Sequence, residues 1–373
     1  MSDYIPKEIL TDIFLRLPNK ALGACMCVSN SWLCLIKDPA FVSSHLNKNK
    51  PSGVPGLFLL RTRSGGRLLV RYALHVDDDC FATYKQLVAP SDDVSFFLVG
   101  SCNGLVCFMH NLYTSGRNTF FLWNPMIRKS VKLPEPDVTF ESHGPFEAFA
   151  GFAFDSRSKD YKVLRIVRLL DADDRDEGDE EEDVVIEAEI FSLNKNSWKN
   201  ITHKLPRHAI AERGSQAFVN GALHWIAARR RDGGFRSSVL ALDAETEHCR
   251  ELVLPECMAK EEPRYLSIFT CGDSTIAVSR RKYMGYSNGE IWVMKEYGHL
   301  ESWKKLFFFG EIDGSLPRPL GFRREGTVVF QLHNGDLVSI HPEGLRVESL
   351  GVQGASGYSF LASFVETLAL LDK

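Results

Sequence analysis

Few residues of this chain are of a type and spacing that could do covalent chemistry. Gly285-Tyr286-Ser287-Asn288-Gly289 has the Gly-x-Ser-x-Gly spacing of a nucleophile elbow. An elbow needs an apolar strand before the serine and a helix after it. Here Arg280-Arg281-Lys282 precedes and a strand-like run at 291–294 follows, so Asn288-Gly289 reads as a hairpin turn. Asp155, Asp243 and Asp273 recur near strand ends and could gather carboxylates at a central channel. Their turn context favours the capping of loops instead. His224, beside Trp225 in a strand-like run, reads as structural. The 11 His lack metal-ligand spacing, and no Gly-x-x-x-x-Gly-Lys or His-Glu-x-x-His occurs. The nine Cys (25, 27, 34, 80, 102, 107, 249, 257 and 271) are odd in number and form no Cys-x-x-Cys pair. They predict reduced thiols in a cytosolic or nuclear protein. No catalytic residue, no metal and no cofactor is expected.

The net charge of −4 pulls the chain toward neither nucleic acid nor an anionic membrane, and neither is expected as a partner. No apolar window approaches the ~18 residues of a membrane span, and the start is not a signal peptide. Charge is locally uneven. Residues 171–183 hold ten acids and one Arg, net −9, leaving +5 on the remainder. Such a block self-repels and predicts a disordered loop. Arg229-Arg230-Arg231, with Arg236 nearby, predicts a polar hairpin tip.

The elements that must position these residues change character near residue 50. Ile5, Ile9, Ile13 and Leu17 recur every four residues, with Leu10 and Phe14 beside them: a wide apolar stripe on one helix. Pro6 falls in its first turn and Leu17-Pro18 ends it. Leu22, Cys25, Val28, Trp32, Leu35 and Ile36 continue the apolar positions, and Asp38-Pro39 opens a short helix through Phe41 to Leu46. Three short helices cannot bury so wide a stripe among themselves, which implies a partner helix surface.

From about residue 55 short strand-like runs are split by Asn-Gly, Gly-Asp, Gly-Gly and Ser-Gly pairs. They also repeat. A Gly turn leads into an apolar strand at Asn103-Gly104, Asn220-Gly221, Gly272-Asp273 and Glu325-Gly326. A second strand follows, then a turn with Trp or Leu-Pro beyond it, as at Leu133-Pro134, Trp198, Leu254-Pro255 and Trp303. Anchors at Ala73, Trp123, Phe191, Leu242, Trp292 and Ser339 lie 50, 68, 51, 50 and 47 residues apart, the long gap holding the acidic block. A period near 50 predicts a mainly β protein: a kelch-like β-propeller of about six blades after a small α domain. The apolar run 360–371 would complete the first blade and close the ring. An irregular β-sandwich or solenoid is the alternative.

Residues 1–46 resemble an F-box, through Ile5-Pro6-Lys7-Glu8-Ile9-Leu10, Ile13, Arg16-Leu17-Pro18, Lys20-Ala21-Leu22, Val28-Ser29, Ser31-Trp32, Leu35-Ile36 and Phe41. Residues 57–373, after a linker at 47–56, resemble the F-box-associated (kelch-type) domain of plant F-box proteins. The carrying motifs are Gly100-Ser101-Cys102-Asn103-Gly104-Leu105-Val106-Cys107, Leu122-Trp123-Asn124-Pro125, Gly151-Phe152-Ala153-Phe154-Asp155, Asp160-Tyr161-Lys162-Val163, Asn220-Gly221-Ala222-Leu223-His224-Trp225 and Leu240-Ala241-Leu242-Asp243. The tail from Val365 to Leu371 is similar to that of S-locus F-box proteins.

This resemblance implies a non-catalytic substrate-recognition subunit of a Skp–cullin–F-box ubiquitin ligase. The partners would be the Skp adaptor, through it a cullin and a RING protein, and a target protein held by the β domain, such as a ribonuclease in the S-locus case. The implied adaptor-binding residues are Ile5, Pro6, Ile9, Leu10, Leu17, Pro18, Leu22, Val28 and Trp32; Ile13, Phe14 and Leu35 are expected in the internal core. Ala24 and Asn30 stand where relatives often carry a basic residue, a departure that bears on adaptor binding although an apolar interface should survive it. The alternative is an F-box-containing module that binds a protein or glycan without delivering it for ubiquitination. The polar stretches 137–146, 171–183, 207–215, 229–236 and 280–289 are candidate recognition loops, because loops vary freely over a rigid scaffold.

Overall fold

A computed structural model describes residues 5–49, 56–64, 69–89, 96–112, 117–170, 186–206, 210–211, 216–231, 234–272, 274–282, 287–323, 325–354 and 359–370. The acidic block at 171–183 and Asp273 lie outside the described residues.

The N-terminal module holds four helices where three were expected: α1 (Lys7–Leu15), α2 (Asn19–Cys25), α3 (Asn30–Lys37) and α4 (Pro39–Asn49). The extra break falls at Ser29. Its backbone is extended, and its side chain accepts a hydrogen bond from Trp32 N, capping α3. Asp38 does the same for α4, its Oδ1 accepting from Ala40 N at 2.8 Å. The helices close over Phe14, Leu22, Leu35, Ile36 and Phe41. Phe14 meets Trp32 edge-on at 5.0 Å between ring centroids.

The remainder is a β-propeller of six antiparallel sheets, mostly four-stranded. From the inside out, blade II is Phe96–Cys102, Leu105–Leu112, Arg117–Asn124 and Lys129–Lys132. Blades III to VI repeat this order, blade IV having an interrupted inner strand at Ile210–Ala211 and Ala217–Val219. Blade I takes its outer strands from the start of the domain (Leu57–Ser64, Leu69–Val76, Thr83–Leu87) and its inner strand, Phe360–Phe364, from the end. Leu57 pairs with Phe364 and Arg61 with Phe360, so the run expected to close the ring does so. All six anchors of the sequence repeat fall on the third strand of their blades.

The strands alternate only weakly between polar and apolar residues because blades bury both faces against neighbours. The second strand of blade III, Asp160–Leu169, is buried from Asp160 through Val167. The Leu-Pro and Trp signals of the sequence turn out to be partners. Trp198 Nε1 donates to Pro134 O at 2.8 Å, joining blade III to blade II, and Trp303 Nε1 donates to Val253 O at 3.1 Å, joining blade V to blade IV.

Charged pairs lock the seams. Arg165 Nη1 donates to Glu189 Oε2 at 2.6 Å, and its Nε and Nη2 reach Asn118 Oδ1 of blade II. Glu189 Oε1 accepts from the backbone of Asp137 and Val138, pinning the chain that crosses from blade II to blade III. Lys162 bridges Asp155 at 3.0 Å and donates to Ala244 O of blade IV. Burial pushes the Asp155 carboxyl up, but hydrogen bonds from Ser158 and Lys162 outweigh it and hold the group at about 2. Arg323 Nε meets Asp77 Oδ1 at 2.8 Å, tying blade VI to blade I.

A buried pair contributes little net stability while intact, but removing one partner strands the other charge. We expect Glu189→Ala to cost about 3–5 kcal/mol in chemical denaturation. The double variant Arg165→Met/Glu189→Leu, which removes both charges, is expected to recover most of that loss.

Candidate functional site

Ile5, Ile9 and Ile13 stand four residues apart and therefore share one side of α1 and its entry. They are 50%, 54% and 44% exposed, and Val28, at the turn between α2 and α3, is 64% exposed. Pro6 and Pro18 are exposed as well, while Leu10, Leu17 and Trp32 are half-buried at the edge of the helical core. Two expectations are corrected. Leu22, expected on the binding face, is wholly buried, because α2 turns it into the core against Phe14 and Ile36. Ile13, expected in the core, is at the surface, because the helical period sets it beside Ile9 and turns the next residue, Phe14, inward. Phe14 and Leu35 are buried. Ala24 and Asn30 are both exposed.

The helical module sits at one rim of the propeller. The inner strand of blade I ends at Phe364 beside Leu57, so residues 365–370 emerge at that rim, and Leu368 enters the helical core. The turn 124–129 of blade II lies at the same rim, and its Ile127 packs against the helices. In an antiparallel blade, the turn between second and third strands and the crossover to the next blade lie at the opposite rim. The polar stretches 137–146, 171–183, 207–215, 229–236 and 280–289 are all approached from strand ends at that opposite rim. Which stretches share a rim was not legible in the sequence; the described strand ends that flank all five lie at one rim.

The arginine cluster forms the expected hairpin, Ala222–Arg231 pairing with Gly234–Asp243 through Arg231 and Gly234. Arg229 meets Glu251 at 2.6 Å, and Arg280 meets Glu261 and Glu290, so these charges are neutralised within blades IV and V. The Gly-x-Ser-x-Gly segment lies between two antiparallel strands, Thr275–Lys282 and Asn288–Met294, with no helix after the serine; residues 283–286 lie outside the described residues. Asp155 Oδ1 accepts from Arg157 N and Ser158 N, and Asp243 Oδ1 from Glu245 N and Thr246 N, so both cap turns.

His224 is fully buried. Its Nδ1 lies 3.1 Å from Ala217 O and its Nε2 lies 2.7 Å from the Tyr297 hydroxyl. A carbonyl only accepts, so Nδ1 carries the proton and Nε2 accepts from Tyr297. Burial pushes this imidazole down to about 4, opposed in part by the Ala217 hydrogen bond.

A small helical module with an open apolar face is thus joined to a six-bladed propeller. Residues 58–339 match the F-box associated beta propeller domain and residues 2–47 the F-box-like domain, so the chain belongs to the family of F-box proteins with an F-box-associated β-propeller. Its relatives include the F-box protein CPR1 of Arabidopsis thaliana, 28% identical over 95% of this chain and 86% of that protein. The F-box protein At3g07870 of the same plant is 29% identical over 90% of this chain and 82% of its own length. The F-box/kelch-repeat protein At3g23880, also of Arabidopsis thaliana, is 26% identical over 89% and 86%. Among solved structures, a chain of the nidogen/laminin complex aligns with 84% of this chain at a TM-score of 0.46 and 9% identity. Proteins of this family are generally adaptor or receptor modules.

We expect Ile9→Asp to shift stability by no more than about 0.5 kcal/mol, as for other surface substitutions, and Phe14→Ala to cost about 3–5 kcal/mol; melting curves compare the two. The buried imidazole sets a pH dependence. His224 binds its proton near its ordinary 6.5 when unfolded and only near 4 when folded, so acidification favours unfolding across that window. The wild type should therefore lose up to about 3 kcal/mol more than His224→Gln between pH 7 and pH 4, read from urea midpoints.

Proposed function

We propose that this chain is the substrate-receptor subunit of a Skp–cullin–F-box ubiquitin ligase. The observation that carries the reading is the open apolar side of α1 made by Ile5, Ile9 and Ile13, with Val28 also exposed, on an F-box module. Full burial of such a side chain contributes about 1.5–3 kcal/mol, and half-exposed ones roughly half of that. Covering this face with adaptor helices would bring a few kcal/mol without remodelling the core beneath. Pro6, Leu10, Leu17, Pro18 and Trp32 border the face and are assigned to the same contact; Leu22 supports it from within.

The target is a protein bound at the rim opposite the F-box. The described strand ends that flank the five candidate segments lie at that rim, on a scaffold held by seam pairs and blade contacts, the arrangement that lets loops vary without cost to the fold. Ubiquitin transfer belongs to an enzyme held by the cullin's RING partner, and this chain contributes proximity by turning a bimolecular encounter into a tethered one. The nine cysteines are free thiols, which suits the cytoplasm or nucleus, where we place the protein.

A pull-down tests the reading. The wild type should retain a plant Skp adaptor, and Ile5→Asp/Ile9→Asp should lose at least ~10-fold in affinity, about 1.4 kcal/mol, with an unchanged melting temperature. Equal binding by both, or by neither, overturns it. A panel of S-locus-type ribonucleases tests that class of target directly. Adaptor binding with a partner captured but never ubiquitinated by the reconstituted ligase would assign the chain instead to binding without delivery.

A further inference from the structure

Residues 365–370 leave the inner strand of blade I and contact both halves of the molecule. Leu368 is buried in the F-box core with Phe14, Leu22, Leu35, Ile36 and Phe41. Two residues on, Leu370 is buried in a different core, with Leu105, Leu122, Phe152 and Phe191 of blades II and III. The segment therefore threads between two hydrophobic clusters and gives side chains to each.

Its backbone is gripped as tightly as its side chains. The Asn124 side chain is fully buried, and its Nδ2 donates to Thr367 O at 3.0 Å and to Ala369 O at 2.9 Å. Its Oδ1 accepts from Met126 N at 2.9 Å, which fixes the amide's orientation. Gly104 lets the segment approach on the other side. It has φ +77°, and a Cβ there would stand 2.1 Å from Val365 O and 2.7 Å from Thr367 Cγ2. A polar contact completes the set, Asn19 Nδ2 of α2 donating to Glu366 Oε2 at 3.2 Å. Ile127, three residues after Asn124, packs against the F-box helices and against the blade II–III core. Two stretches of the propeller, around Gly104 and around Asn124, thus converge on a segment that none of their own strands needs for pairing.

We propose that residues 365–370 form a clasp that holds the F-box in one fixed attitude on the propeller, with Leu368 as its tooth and Asn124 as the residue that positions it. Interfaces between the halves of a chain are mobile by default unless they are apolar and well packed, and this segment supplies an apolar, hydrogen-bonded contact between them. The clasp turns the F-box and the propeller into one rigid arm. Resting on the reading above, its consequence is that a partner on the far rim is presented at a set distance and angle from the adaptor, which raises effective concentration at the ubiquitin donor.

The test uses the full chain alone, so it can fail while adaptor binding succeeds, and the reverse. Hydrogen exchange and small-angle scattering are measured for the wild type, Leu368→Asp and Asn124→Ala. In Leu368→Asp we expect at least ~10-fold faster exchange in α1 to α4 and a larger radius of gyration, with exchange in Phe360–Phe364 and Leu57–Ser64 unchanged because the closing strand is intact. Asn124→Ala leaves the F-box core untouched, so a rise in radius of gyration in that variant cannot come from unfolding of the F-box. An unchanged radius and unchanged exchange in both variants would overturn the clasp. So would a loss of protection throughout the propeller in step with the F-box, which would mean that the segment serves ring closure and nothing else.

Discussion

The structure depends on the pairing of its last strand with its first. Phe360–Phe364 pairs with Leu57–Arg61 of its own blade and packs beside the inner strands of blades II and VI, so the ring of blades closes and leaves only short strand edges. Every other blade is built from consecutive chain and needs only local turns. Blade I alone needs two segments separated by nearly the whole domain, and the entropy of bringing them together is offset by contacts on both flanks. Those flanks include the Arg323–Asp77 pair and the apolar cluster shared by Phe58, Leu60, Leu337 and Leu361.

Closure also decides where the F-box goes. The chain runs on beyond the strand that closes the ring, and Leu368 passes into the helical core while Leu370 returns to the blades. The strand ends that flank the polar stretches lie at the opposite rim. Alternation of strand direction sets this separation: chain ends and turns of one parity must emerge at one rim, and those of the other parity at the other. An antiparallel blade with short turns therefore gives two chemically independent faces on one rigid body.

Charge is used differently at the seams and at the surface. Arg165–Glu189 and Arg323–Asp77 are almost fully buried and saturated with further hydrogen bonds, which makes them exacting about the position of neighbouring blades. Arg229 is paired with Glu251 of the same blade, and Arg280 with Glu290 on the adjacent strand and with Glu261 of the preceding crossover, so they serve the blades that carry them. Composition alone cannot separate these roles, because it does not say which opposite charge lies across the strand.

The sequence by itself determined the helical start, a repeat period that calls for about six blades, the repeat anchors and the run that closes the ring. These follow from short-range signals: apolar spacing, Asn-Gly turns, and Trp and Leu-Pro at fixed offsets, each of which acts within one element or its neighbour. It also marked the apolar positions of α1 and α2, though not which are open: Ile13 on α1 is exposed and Leu22 on α2 is buried, since only packing assigns the sides of so wide an apolar surface. The break at Ser29 was hidden because apolar positions continue across it and a serine cap is a local choice against a continuing helix. Tertiary structure alone decided which loops share a rim, which charges are paired, and that Asn124 and Gly104 hold a segment about 240 residues further along the chain. Such contacts leave no period in the sequence, because they join residues through space after the ring has closed.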